Sequence, residues 1–340
     1  MNRLIECVPN FSEGRDAAVI DALADAVRST AGVSLLSVEP DRDYNRTVIT
    51  MVGSDTDVVD AAFKATAIAA DRIDMRNHKG EHPRLGAVDV VPFIPIANAS
   101  MDDCVALSRL YGKRVAKELG IPVYYYEYAA TRKERRNLSD IRKGEYEGLA
   151  AKLADPAWAP DEGPAVFNEH SGATVTGARK ILIAYNVNLS THDVAIAQEI
   201  ALRIRESGRV KKDEHGNTVK DAEGNAVKIP GTLKAVKAMG VYLERHKIAQ
   251  VSINLVDFEV TSMHDAFDEV ARQAETLGVK ATGSELVGLA PLGAFRKAAV
   301  RAGADASVSD LEAVHIATKY LGLDQLEPFV PTRKVIDLMI

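Results

Sequence analysis

Apolar positions along this chain follow two rhythms: short unbroken runs, and longer stretches in which they return every three or four residues. The first suits a buried strand and the second a helix with one apolar stripe. Residues 4–8 form a short run, Asn10-Phe11-Ser12 follow as a turn, and Val19, Ile20, Leu23 and Val27 recur at helical spacing. Strands are predicted next over 34–38 and 47–52, then a helix carrying Val58, Val59, Ala62 and Phe63. A late strand over 88–96 has prolines near its end. The helix after it is opened by Ser100 with Asp103, a capping spacing that satisfies free amide donors.

The pattern then returns. Residues 181–185 read as a strand and Asn188-Leu189-Ser190 as a turn, while Ala197, Ile200, Ala201 and Ile204 form the stripe of a helix. Strands over 240–243 and 250–257 precede a helix with Phe267, Val270, Ala271 and Ala274, opened by Ser262 and Asp265. A strand over 285–292 and a helix opened by Ser309 and Glu312 complete the series. Two passes of βαββαβ plus a helix predict an α/β (α+β) protein of two similar split-βαβ halves. Each half has a sheet with helices on one face, and a ligand cleft lies between them. Residues 154–176, rich in Pro and Gly and holding the single tryptophan, read as the connection between halves. Residues 212–227, with Gly-Asn turns repeating after eight positions, read as a small β-arm or mobile loop.

A length of 340 residues fits two such halves, and 46% hydrophobic with 26% charged residues is a globular balance that excludes disorder and coiled coil. The net charge of −6 gives no global attraction for nucleic acid or an anionic membrane, so an anionic ligand needs a local basic site. Cys7 and Cys104 are too few for a disulfide scaffold or a four-thiolate zinc site and read as core thiols. No apolar stretch is long enough to span a bilayer. The expectation is a cytoplasmic protein without nucleic-acid or membrane partners.

The densest chemistry is His78-Lys79-Gly80-Glu81-His82-Pro83-Arg84. His78-x-x-Glu81-His82 fits an inverted zinc-peptidase pattern, which requires a continuous helix. Gly80 costs a helix about 1 kcal/mol relative to Ala, and Pro83 both breaks a helix and pushes His82 toward extended backbone, so no metal site is expected. The other chemistry open to the segment is general acid/base catalysis by one imidazole, oriented by Glu81 or Arg84. The bland alternative is a pair of surface or capping histidines. Asp41 to Thr47 reads as a hairpin turn in which Arg46 can offer a carboxylate a bidentate match. Residues 172–180 lack the Gly-Lys-Ser/Thr end of a phosphate loop. The basic run of Arg132, Lys133, Arg135, Arg136, Arg142 and Lys143 reads as a solvated face, or as a contact for an anionic ligand tail.

Several of these segments together resemble glutamate formimidoyltransferase: Glu6-Cys7-Val8-Pro9-Asn10-Phe11-Ser12-Glu13-Gly14, Asn45-Arg46-Thr47-Val48, the His78 to Arg84 run, Trp158-Ala159-Pro160-Asp161, Thr176-Gly177-Ala178-Arg179-Lys180 and Asn254 to Thr261. The resemblance runs in order from the first residues to Phe329. It implies transfer of the formimino group from N-formimino-L-glutamate to tetrahydrofolate, a late step of histidine breakdown. With it come two ferredoxin-like α/β subdomains holding folate between them, a homodimer, and His82 as the catalytic acid/base.

Tetrahydrofolate is then a co-substrate and no metal is required. The folate-contacting stretch falls at residues 163–172, where Gly163, Pro164, Phe167 and Gly172 match. Asn10, Asn45, Arg46, Arg84 and Arg179 are the remaining candidates for substrate binding, and Glu81 and Glu39 for support; Glu39 stands where the animal enzymes carry the shorter Asp. The implied boundaries are 1–177 and 178–330 for the subdomains and 331–340 for a tail. The animal enzymes continue into a cyclodeaminase, so this chain is expected to pass its product to a separate one. A related transferase acting on a formyl group is the alternative chemistry.

Overall fold

In the computed structural model, which describes residues 3–339, the chain divides after Lys180 into two units, each with its own core. The first opens with β1 (Leu4–Cys7), β2 (Asn10–Phe11), α1 (Ala17–Arg28), β3 (Val33–Asp41), β4 (Arg46–Gly53), α2 (Asp55–Arg72), β5 (Val88–Ala97) and α3 (Met101–Leu119). It closes with β6 (Val123–Glu127), the short α4 (Leu138–Ile141) and α5 (Leu149–Ala154), and β7 (Thr174–Ala178). All seven strands share one sheet in which β1 pairs antiparallel with β4 and β5, and β7 lies parallel to both β5 and β6.

Alternation along each strand decides what each face holds. Ile5 and Cys7 of β1 and Val91 and Phe93 of β5 pack with Leu23, Val27, Phe63 and Tyr111 from α1, α2 and α3. The predicted apolar residues of α1 are all buried, and Asp16 caps its start by accepting from the amides of Ala18 and Val19. Ser100 and Asp103 form the capping box of α3. On the opposite face Val90, Tyr124, Tyr126 and Val175 join Leu85, Ile141 and Leu149 in a second cluster.

Glu6 alternates onto this opposite face and is buried all the same, at 4% exposure. Burial pushes its carboxyl up to about 7, against a smaller downward pull from Arg179. Because the folded chain then holds this proton more tightly than the unfolded one, stability present below pH 4.5 is lost as pH rises through 7. Glu6→Gln should therefore gain on wild type by up to about 3 kcal/mol between pH 5 and pH 8. Urea melts at the two pH values check this, and a difference independent of pH would remove Glu6 as the cause.

The second unit comprises β8 (Ile183–Leu189), α6 (Val194–Ile204), β9 (Arg209–Val210), β10 (Lys228–Ile229), β11 (Val236–Leu243), β12 (Ile248–Leu255), α7 (Met263–Thr276), β13 (Ala281–Val287), α8 (Leu292–Arg301) and α9 (Asp310–Leu321). Its sheet is antiparallel in the order β11-β12-β8-β13. The apolar alternates of these strands face α6, α7, α8 and α9 in a single core. Residues 212–227 form the arm read from the Gly-Asn repeat: β9 pairs with β10, and bridges follow at Lys212–Thr218 and Lys220–Ala226.

Five expectations are corrected. Asn10 and Phe11 are not a turn but form β2, with Asn10 opposite Val48 and Val90 and Phe11 buried in the core. Asn188 and Leu189 are not a turn but the end of β8, where Leu189 is buried in the core and Asn188 pairs across to Gln250. The strand expected over 285–292 stops at Val287, since Gly288 takes a left-handed φ of 73° and Pro291 sits at the N-cap of α8. Residues 154–176 do not connect the halves. They fold back on β6, with Asp161 and Glu162 amides donating to the Val123 carbonyl, and end in β7, so the link between units is residues 179–182. The basic run is not one solvated face, because Arg135 is 2% exposed and paired with Asp161, and Arg142 is paired with the buried Asp89. Residues 331–339 dock on the second unit, with Val335 and Ile336 buried and Ile336 donating to the Ala290 carbonyl. Met1, Asn2 and Ile340, which the expected boundaries include, lie outside the described residues.

Candidate active site

The hairpin between β3 and β4 sets the site. Asp41 Oδ1 accepts from the amides of Asp43 and Tyr44, and the chain then passes through Asn45 at φ 48°, a left-handed conformation that Asn tolerates better than most residues. The Asn45 side chain accepts from the Gly14 amide (2.9 Å) and donates to the Lys79 carbonyl (3.0 Å), while its own carbonyl accepts from His78 Nε2 (3.0 Å). One buried Asn thus ties the turn before α1, the hairpin and the histidine loop together. The packing leaves no room for side chains at the crossings. A Cβ on Gly80 would lie 2.3 Å from the Tyr44 carbonyl oxygen, and one on Gly14 would lie 2.1 Å from that of Asp41.

Residues 78–84 are not helical, as Gly80 and Pro83 require. Arginine can only donate, so the Nε–H of Arg84 fixes His78 Nδ1 as an acceptor (3.2 Å) and leaves the proton on Nε2, where it meets the Asn45 carbonyl. Both His78 nitrogens are therefore occupied, and burial holds its pKa below the ordinary value, with Arg84 adding to the effect. Arg84 is itself buried. Its remaining N–H groups go to Glu145 (3.0 Å), to both oxygens of Glu147 (2.8 and 2.6 Å) and to the His78 carbonyl, so its fork is already filled by this chain's own carboxylates.

The same logic fixes His82. Arg46 Nη1 donates to His82 Nε2 at 3.0 Å, which makes Nε2 the lone-pair nitrogen and places the proton on Nδ1. Burial, followed by the charges of Arg46, Arg142 and Arg84 and by His78, pushes the His82 pKa down to about 3. Tyr44 presents its ring edge-on to the imidazole, with centroids 6.4 Å apart. Arg46 Nη1 also reaches Asn10 Oδ1 (3.3 Å), whose amide donates to the Val8 carbonyl, while Arg46 Nε is buried without an acceptor. Arg142 is held by Asp89, which also accepts from the Leu85 amide.

The structure brings Asn10, Asn45, Arg46, His78, His82 and Arg84 together. Glu39 stands opposite Val48 on β3 and Asn10 opposite it on β2, so both share the sheet face of Arg46. Glu81 is exposed, and its backbone amide meets the Asp43 carbonyl at 3.5 Å. Gly172, at φ 69°, lies against Leu85 and Gly86, where a Cβ would stand 2.2 Å from the Leu85 carbonyl oxygen. Phe167 packs on Tyr146 with ring centroids 5.3 Å apart, and Tyr146 donates to the Glu169 carbonyl. Gly163 and Pro164 are exposed beside Ile121 and Ala116. Arg179 follows β7, donates to the Lys180 carbonyl and acts on Glu6 and Tyr126. Sequence reading did not single out Asp89, and it placed Arg142 only within a charge run. Arg142 lies 60 positions from His82 along the chain, so no local spacing links the two.

Two domain families cover the chain: "Formiminotransferase domain, N-terminal subdomain" matches residues 4–179 and "Formiminotransferase domain" matches residues 184–340. A protein of Streptococcus pyogenes serotype M1 named glutamate formimidoyltransferase is 44% identical over 86% of this chain and 90% of its own length. Proteins named formimidoyltransferase-cyclodeaminase from Dictyostelium discoideum and Rattus norvegicus are 44% and 46% identical over the whole chain. The chain spans 61% and 60% of the length of those two relatives.

Proposed function

The chain belongs to the formiminotransferase domain family, and from that premise we propose that it is a glutamate formimidoyltransferase. It would move the formimino group from N-formimino-L-glutamate to tetrahydrofolate, giving 5-formiminotetrahydrofolate and L-glutamate. The observation that carries the reading is His82: a neutral imidazole whose Nε2 lone pair is defined by Arg46, a guanidinium whose buried Nε still lacks an acceptor. N5 of tetrahydrofolate attacks the amidine carbon. As the C–N bond forms, the proton leaving N5 goes to His82 Nε2, and the same proton passes to the glutamate nitrogen as its bond to carbon breaks. Arg46 faces the donor's carboxylate. Arg84 and Asn45 hold the loop and hairpin that carry His82 and Arg46.

The zinc-peptidase alternative gains no support from His78, since neither of its nitrogens has a free lone pair for a metal. The strand order of the second unit supports a ferredoxin-like subdomain, with the first unit an enlarged version of it. The reading also carries a homodimer and a separate cyclodeaminase that consumes the product. The test is a spectroscopic assay with tetrahydrofolate and N-formimino-L-glutamate in metal-free buffer. Accumulation of 5-formiminotetrahydrofolate is expected; transfer from a formyl donor only would replace the substrate, and activity lost with a tightly bound zinc would replace the mechanism.

A further inference from the structure

The contact that defines the His82 tautomer also blocks it. With Arg46 Nη1 donating to Nε2 at 3.0 Å, that lone pair is not available to a substrate proton, and the ring has no Nε2 proton to give. Arg46 is equally incomplete on its other side, because Nε is buried with no acceptor, an arrangement that disfavours the ligand-free state. A carboxylate that takes the Nε and Nη2 edge in a bidentate fork reaches the buried Nε only if the guanidinium swings outward. That swing takes Nη1 away from His82.

We propose that Arg46 is a latch on His82: the carboxylate of the formimino donor draws the guanidinium off Nε2, and only then does the imidazole carry the proton. The proposal rests on the transferase reading and adds to it a reason why the donor must be an anion. The groups around His82 fit a field that the ligand neutralises. Arg46 and Tyr44 come from the hairpin, Arg142 from the segment after α4, and Arg84 and His78 from the loop itself. Of the carboxylates whose charge acts on Arg46, Asp89 is taken by Arg142 and the Leu85 amide, and Asp41 Oδ1 by the amides of its own turn; Glu39 shares the sheet face of Arg46. A donor without a carboxylate, such as formamidine, then loses kcat more than KM.

Nitrogen NMR of the full chain with labelled histidine reads the latch directly, using glutarate alone as a dicarboxylate that cannot react. Ligand-free His82 should stay neutral down to pH 5, and saturating glutarate should raise its midpoint by at least about one pH unit, a tenfold gain in proton affinity. Arg46→Met should show a raised midpoint without glutarate and no further response to it. Glutarate that binds by calorimetry without moving His82, or that does not bind, overturns the latch; the wild-type titration decides this even if the variant is unstable. Activity is not part of this readout. A shifted His82 in a protein that transfers no formimino group would refute the transferase and leave the latch standing.

Discussion

His82→Ala should lose about 10²- to 10⁴-fold in turnover, the usual contribution of a general acid/base group, with its unfolding little changed at pH 8. The side chain sits in a loop and, among the described residues, contributes to none of the buried apolar clusters and makes its polar contact with Arg46. The sign of the pH effect separates chemistry from folding. A histidine held at about 3 in the folded chain, against about 6.5 unfolded, costs the fold nothing above pH 6.5 and weakens it progressively as pH falls toward 3. Removing it should flatten acid destabilisation below pH 6 while turnover stays reduced at every pH. Steady-state rates with urea melts at pH 5 and pH 8 measure both, and turnover within twofold of wild type takes His82 out of the mechanism.

The largest expected loss of stability lies at Arg135. Its guanidinium meets Asp161 at 2.8 Å and the Ala159 carbonyl at 2.6 Å, and lies over the rings of Tyr124 and Trp158 at 5.2 and 5.9 Å from their centroids. Arg135 and Asp161 are only 2% and 7% exposed, so Arg135→Met leaves a nearly buried carboxylate without its cation. Breaking such a pair from one side costs about 3–5 kcal/mol. Asp161 keeps the Tyr125 amide and the Thr131 hydroxyl as donors, so Asp161→Asn added to Arg135→Met should recover part of the loss. Urea unfolding of the four proteins in a double-mutant cycle gives the coupling, and a single-variant loss under 1 kcal/mol would show that water fills the gap.

These two residues mark what could be read from the sequence. His82 announced itself locally: two imidazoles, a glycine and a proline within seven residues excluded a helix before any contact was known. The stripe of α1 and the caps of α3 and α9 were legible for the same reason, since each is a property of neighbours in the chain. Arg135 was illegible because its partner is 26 positions away and a buried guanidinium has the same local company as a solvated one. The helix α8 was missed for a different reason. Ala294, Phe295, Ala298 and Ala299 do fall at helical spacing, but the apolar run before Pro291 read as a strand that swallowed the helix start. The tautomers of His78 and His82 come from Arg84 and Arg46, and only tertiary structure decides which arginine reaches which ring nitrogen.

β7 is the last strand of the first unit to be synthesised, yet it lies between β5 and β6 and runs parallel to both. Until Ala178 clears the ribosome, the sheet of β1 to β5 and the lone strand β6 each expose a long edge with nothing between them. Such edges invite pairing with other chains, and closing them by parallel pairing across so long a loop is slow. The nascent first unit therefore depends on a late insertion rather than growing strand by strand. A polypeptide released anywhere between residues 128 and 173 would carry both edges unpaired, so premature termination in that window should yield aggregate, whereas release just past the link at 179–182 should yield a folded unit.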